Sequence, residues 1–128
     1  MKEAFNILIT DRNPHVREYL KRELMAEGYR VSMAKSGQEI LLRIYSSEPV
    51  DLLILDPELL DADKVSFFEK LQDRIPDLPV VVHAFLPDYS NITNELYSAV
   101  FVEKSGSSVE RLKCVVSDIL KKEGPDFR

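Results

Sequence analysis

Short apolar runs alternate with amphipathic stretches along the chain, and the alternation repeats five times. The first run, residues 5–10, carries Ile7, Leu8 and Ile9 in succession, the pattern of a strand covered on both faces. Asn13-Pro14 then places a capping side chain ahead of a proline at the first helical position, and Val16, Leu20 and Leu24 share one face until Gly28 stops the helix. Residues 29–34 read as a second strand. Ser36 and Glu39 stand at capping-box spacing ahead of Ile40, Leu41, Ile44 and Tyr45, and Pro49 closes that helix. Leu52-Leu53-Ile54-Leu55, between Asp51 and Asp56, is too short for a core helix and suits a central strand. A third helix follows through Phe67, Phe68, Leu71 and Ile75. Val80-Val81-Val82 is β-branched throughout and predicts a fourth strand. Between Asp88 and Ser98 only Ile92, Leu96 and Tyr97 form an apolar stripe, so a fourth helix there is expected to be short or loosely packed. Val100-Phe101-Val102 gives a fifth strand. Ser107 and Glu110 repeat the capping-box spacing before a strongly amphipathic closing helix that carries Val109, Leu112, Val115, Val116, Ile119 and Leu120. Gly124 and Pro125 end it.

Five strand–helix units predict one α/β domain, a doubly wound parallel sheet with helices on both faces. In such a sheet the binding crevice opens beyond the carboxyl ends of the strands, where strand order reverses. That rule selects Asp11 and Arg12 after strand one, Asp56 after strand three, His83 and Ala84 after strand four, and Glu103 and Lys104 after strand five. Any one acid leaving a strand is commonly just a cap or turn residue. Two carboxylates, a lysine and a histidine brought to one edge make a stronger case for chemistry.

These residues, in the stretches ILITDRNPHVREYL, DLLILD, LPVVVHA and FVEKS, resemble the receiver domain of two-component response regulators over nearly the whole chain. The resemblance implies the flavodoxin-like (βα)5 fold, with a receiver domain at 1–122 and a C-terminal tail at 123–128. It implies phosphorelay signalling through an aspartyl phosphate at Asp56, with Asp11 in the acidic pair, Lys104 as the phosphate-pairing cation and Phe101 as the aromatic switch. His83 falls in the position of the family's Thr or Ser hydroxyl. Mg²⁺ is the implied cofactor, held by Asp11, Asp56 and the backbone carbonyl of Glu58. A carboxylate accepting a phosphoryl group gathers negative charge, which a divalent ion and a fixed ammonium offset, and Mg²⁺ prefers oxygen ligands. The implied partners are a histidine kinase or phosphotransfer protein upstream and another protein downstream, with a homodimer as a further option.

The chain departs from the family pattern in places that bear on chemistry. Arg12 stands where receivers usually carry the second acid, and a guanidinium is no metal ligand. Two placements are open for it: a built-in cation paired with a carboxylate and weakening the Mg²⁺ site, or a side chain turned to solvent. His83 is larger than a hydroxyl and can be charged; it either donates to a phosphoryl oxygen or is a packed, satisfied histidine. Ser105 replaces the usual Pro after Lys104, and Leu60 and Lys64 replace the Pro and Gly usual after Asp56.

Composition narrows the alternatives. Seventeen basic against 22 acidic residues give a net charge of −5, with 45% apolar residues, which fits an ordinary globular domain and argues against nucleic-acid binding through it. No apolar run reaches membrane-spanning length, and the first ten residues lack a secretion signal, so a cytoplasmic protein is expected. Asn91-Ile92-Thr93 matches a glycosylation acceptor pattern and is given no weight without such a signal. Cys114, the only cysteine, is expected to be a core thiol on the closing helix. A flavodoxin-like cofactor carrier lacks support, because neither G-x-G-x-x-G nor G-x-x-x-x-G-K-[ST] occurs, and an enzyme built on a Ser or Cys nucleophile has no identifiable base. The remaining competitor is a degenerate pseudo-receiver that works by protein contact alone, with Arg12 fixing one conformation.

Overall fold

A computed structural model describes residues 4–60, 64–74, 77–85 and 99–123. Five strands, β1 (Asn6–Thr10), β2 (Arg30–Ala34), β3 (Leu52–Leu55), β4 (Val80–Ala84) and β5 (Val100–Glu103), form one sheet in the order β2-β1-β3-β4-β5. All four pairings are parallel. Strand order reverses between β1 and β3, so the two strands that carry Asp11 and Asp56 at their ends lie side by side.

The central strands β3 and β4 are buried along their whole length, which is why they read as unbroken apolar runs. Each face of the sheet has its own core. Leu8, Leu53, Leu55, Val82 and Phe68 pack on one side with helices α2 (Gly37–Ile44) and α3 (Lys64–Gln72). Ile7, Ile9, Ile54, Val81 and Val102 pack on the other with α1 (Pro14–Ala26) and α4 (Ser108–Glu123). Helices therefore cover both faces, as the pattern predicts.

Local chemistry sets the helix ends. The Asn13 side chain accepts the His15 amide at 2.9 Å, with Pro14 at the first helical position. Gly28, at φ +100°, closes α1: its amide donates to the Met25 carbonyl and the Tyr29 amide donates to Leu24, a pair of bonds that requires a left-handed residue between them. Ser36 Oγ accepts the Glu39 amide at 3.0 Å, while the Glu39 carboxylate reaches back to the Lys35 amide at 2.8 Å.

Three sequence expectations need comment. Cys114 is exposed rather than in the core. Leu112, Val116 and Leu120 make the buried face at four-residue steps, and Cys114, two residues out of step, falls on the opposite side. The fourth helix expected between Asp88 and Ser98, with Asn91-Ile92-Thr93, lies outside the described residues, as do Ile75 and residues 124–128. Helix α4 itself begins immediately after Ser107, and it runs to Glu123.

Candidate functional site

At the carboxyl edge of the sheet, Asp11 and Asp56 are each only 1% exposed. They sit one residue beyond β1 and β3, and a hydroxyl fixes the strand ends against each other. Thr10 Oγ1 donates to the Ile54 carbonyl at 2.9 Å and accepts the Asp56 amide at 3.0 Å. Arg17 donates to the Asp11 carbonyl at 2.6 Å, so the main chain on the β1 side is also held. After Asp56 the chain enters a single 3₁₀ turn, Pro57–Leu59, and the Asp56 carboxylate caps it by accepting the Glu58 amide at 3.0 Å.

Lys104 brings these acids together. It leaves the end of β5, and its Nζ lies 3.0 Å from Asp11 Oδ2 and 3.1 Å from Asp56 Oδ2. Backbone amides add to this: Asp11 Oδ1 accepts the Asn13 amide at 2.9 Å, and Asp56 Oδ2, the oxygen that faces Lys104, also accepts the Arg12 amide at 3.3 Å. One ammonium thus stands between two buried carboxylates, an arrangement in which its charge is shared and neither acid is left alone.

The Arg12 guanidinium reaches neither of these acids. It forms an ion pair with the Glu58 carboxylate, and the Arg12 side chain is 55% exposed. Both placements considered from sequence are therefore partly realised: Arg12 pairs with a carboxylate, yet at the solvent edge. Sequence reasoning used Glu58 only for its backbone carbonyl and did not anticipate its side chain as Arg12's partner.

His83 takes the packed placement of the two left open for it. It is 4% exposed, and its Nε2 lies 2.9 Å from Ser108 Oγ on α4. The Ser108 hydroxyl donates its one hydrogen to the Ser105 carbonyl at 3.0 Å, so the imidazole must donate from Nε2, which leaves Nδ1 as the bare acceptor. Nδ1 is buried and has no hydrogen-bond partner among the described residues. Burial, then the charge of Lys104, lower the pKa of His83 to about 4, against opposing pulls from Asp11 and Asp56. His83 is thus a neutral, packed histidine bound to Ser108 and does not reach Asp56. Ala84, one residue on, shares with Phe101 the sheet face of α2 and α3, so the hydroxyl position assigned to His83 corresponds better to Ala84, which has no hydroxyl. Phe101 is half-buried on that face.

A cleft of about 360 Å³ opens beside the cluster, lined by Tyr19, Leu20, His83, Phe85 and Lys104 among others. The Lys104 ammonium lies 5.6 Å from the centre of the Phe85 ring, a further restraint on its position.

The residues present do not make an Mg²⁺ site of the kind the family pattern implies. Asp11 and Asp56 are brought together, but Lys104 Nζ stands between them and backbone amides bond three of their four oxygens, while the fourth, Asp11 Oδ2, faces Lys104 without a hydrogen bond among the described residues. Arg12 occupies the place of a third acid, and among the described residues no group of three or more acidic, His or Cys side chains could hold a metal.

A parallel sheet with a switch point between β1 and β3, two buried carboxylates there and a lysine from the end of the last strand make up a flavodoxin-like doubly wound domain with an acidic site at its carboxyl edge. The profile of the response regulator receiver domain family matches residues 7–101, and the chain belongs to that family. It is 35% identical to response regulator RR06 of Streptococcus pneumoniae over 118 residues, covering 87% of this chain and 52% of that protein. It is 35% identical over 86 residues to the transcriptional regulatory protein GlrR of Escherichia coli, covering 65% of this chain and 19% of GlrR. The chain thus spans about half or less of the length of these relatives. Among solved structures, response regulator TrrA of Thermotoga maritima, in complex with Mg²⁺ and BeF, superposes with a TM-score of 0.78 at 29% identity, covering 91% of this chain and 99% of that one. Receiver domains are generally signalling modules and generally bind Mg²⁺. Among the described residues no helix is long and apolar enough to cross a membrane.

Proposed function

We propose that this receiver takes a phosphoryl group on Asp56 and signals through the resulting change at its β4–β5 edge. The observation that carries the reading is Asp56 itself: a buried carboxylate at the switch point, 3.1 Å from the Lys104 ammonium and bonded to the amides of Arg12 and Glu58. That environment supplies a nucleophilic oxygen together with donors for the charge that phosphoryl transfer develops. Asp11 holds Lys104 in place, and Phe101, half-buried on the edge strand, is the residue whose packing would report the change. His83 stands behind the cluster as a neutral support.

The upstream partner in this reading is a histidine kinase or phosphotransfer protein, and the downstream one is another protein, with self-association as an option, in the cytoplasm. Binding to nucleic acid is not assigned to this domain. The second reading, a phosphorylation-independent interaction module, is favoured by one observation, the Lys104 ammonium already seated against both buried carboxylates. Intact-mass spectrometry after incubation with a small acyl phosphate, beside Asp56→Asn, separates the two. An adduct lost in Asp56→Asn supports the phosphorelay, and its absence under all conditions supports the module.

A further inference from the structure

Arg12 and Glu58 are anchored on the same carboxylate. The Arg12 amide donates to Asp56 Oδ2 at 3.3 Å, the Glu58 amide donates to Asp56 Oδ1 at 3.0 Å, and their side chains close an ion pair beside it. The residue that carries the guanidinium is therefore tethered to Asp56 through its own backbone amide, and its ion-pair partner is tethered to the same carboxylate. The pair is held at the surface, with Arg12 55% and Glu58 28% exposed, where an ion pair contributes little. Exchanging a carboxylate for a phosphoryl dianion is favourable, because the guanidinium fork matches two oxygens of either group and the phosphoryl carries more charge. Relative to an acid at this position, Arg12 changes the local charge from −1 to +1, as much as a divalent ion would add.

Resting on the reading of Asp56 as phosphoacceptor, we propose that Arg12 takes the part of the missing metal: with Lys104 it forms a two-cation seat for a phosphoryl group on Asp56, and Glu58 holds the guanidinium ready until that group arrives. In the step itself an Asp56 carboxylate oxygen attacks phosphorus of an acyl phosphate or a phosphohistidine. The new O–P bond forms as the old P–O or P–N bond breaks, and its electron pair leaves with the departing carboxylate, or with an imidazole that takes a proton from water. The product is an acyl phosphate with two negative charges, facing Lys104 Nζ and Arg12. No metal enters this sequence, in keeping with a guanidinium at the position where the family carries its second acid.

The test is a time course of intact mass with a small acyl phosphate, in chelator and in Mg²⁺, for the parent chain and for Arg12→Ala, Arg12→Lys and Glu58→Gln. A thermal melt of each confirms folding, which an exposed side chain at position 12 should leave unchanged. The parent is expected to label at rates within about twofold in chelator and in Mg²⁺. In chelator Arg12→Ala should label about ten- to a hundredfold more slowly, as for loss of a charged hydrogen-bonding group. Arg12→Lys, a point charge without the fork, should fall between, and Glu58→Gln should match or exceed the parent. Labelling of the parent only in Mg²⁺ would overturn the role of Arg12 and leave the phosphorelay standing. Metal-free labelling that Arg12→Ala retains would overturn it equally, and slower labelling of Glu58→Gln would overturn the holding role of Glu58. No labelling under any condition would overturn the phosphorelay reading and this inference together.

Discussion

The Thr10 hydroxyl accepts the Asp56 amide at 3.0 Å while donating to Ile54, joining the ends of two neighbouring strands where the acids emerge. Thr10→Val keeps the shape and removes both bonds, leaving a buried amide unpaired. The expected cost is about 1–3 kcal/mol, read from denaturant melts. Faster hydrogen exchange at the Asp56 amide should accompany it, and unchanged exchange would show that another group had taken the hydroxyl's place.

Lys104 is the cation shared by two carboxylates that are each 1% exposed. Lys104→Met strands both acids beside each other, and removing one partner from a buried charge cluster typically costs about 3–5 kcal/mol. The double variant Lys104→Met with Asp11→Asn should recover part of that loss in the same melts, since only one carboxylate then remains. No recovery would mean that the stem of Lys104, rather than its charge, supports the site.

The pKa of His83, lowered from 6.5 to about 4 in the folded chain, makes a prediction with a definite sign. Between these values the unfolded chain binds a proton at this histidine and the folded chain does not. Stability contributed by keeping it neutral is therefore complete above pH 6.5 and declines as pH falls towards 4, by about 3 kcal/mol in all. Stability against pH for the parent and His83→Gln should diverge only within that window. Parallel curves would place the His83 proton elsewhere.

Gly28 is the turn at the end of α1, at φ +100° and with nothing near enough to obstruct a side chain. Gly28→Ala therefore tests backbone strain alone. A loss of about 1–2 kcal/mol is expected, with labelling of Asp56 unaffected.

The legible and illegible parts of this molecule divide on physical grounds. Strands β1, β3 and β4 were readable because full burial leaves runs such as Leu52–Leu55 without a polar residue, and Asn13-Pro14 and Ser36 fixed two helix starts by local bonds. Asp11, Asp56 and Lys104 were readable as neighbours because strand ends in a doubly wound sheet converge. The side-chain partners were not. Arg12 with Glu58 and His83 with Ser108 pair across loops and between strand and helix, at separations no short-range pattern encodes. For Ser108 a faint signal existed, a hydroxyl at the start of a helix following strand five. His83 was read one position out because the strand's β-branched run gives no mark of where the pleat places each residue. Cys114 could have been placed outward by counting from Leu112 in helical steps.

The site is assembled from both ends of the chain, and Lys104 comes from a strand at the edge of the sheet, 48 residues beyond Asp56. During synthesis the strands carrying both acids are therefore complete well before the residue that neutralises them. A nascent chain ending before β5 would have to enclose two carboxylates without their counter-ion, an arrangement that disfavours early closure of that edge. Pairing of the last strand thus brings the cation as well as the final hydrogen bonds, and a one-residue slip in β5 would turn Lys104 away from the acids. The cluster of Lys104 with the two acids doubles as a register check on the finished sheet.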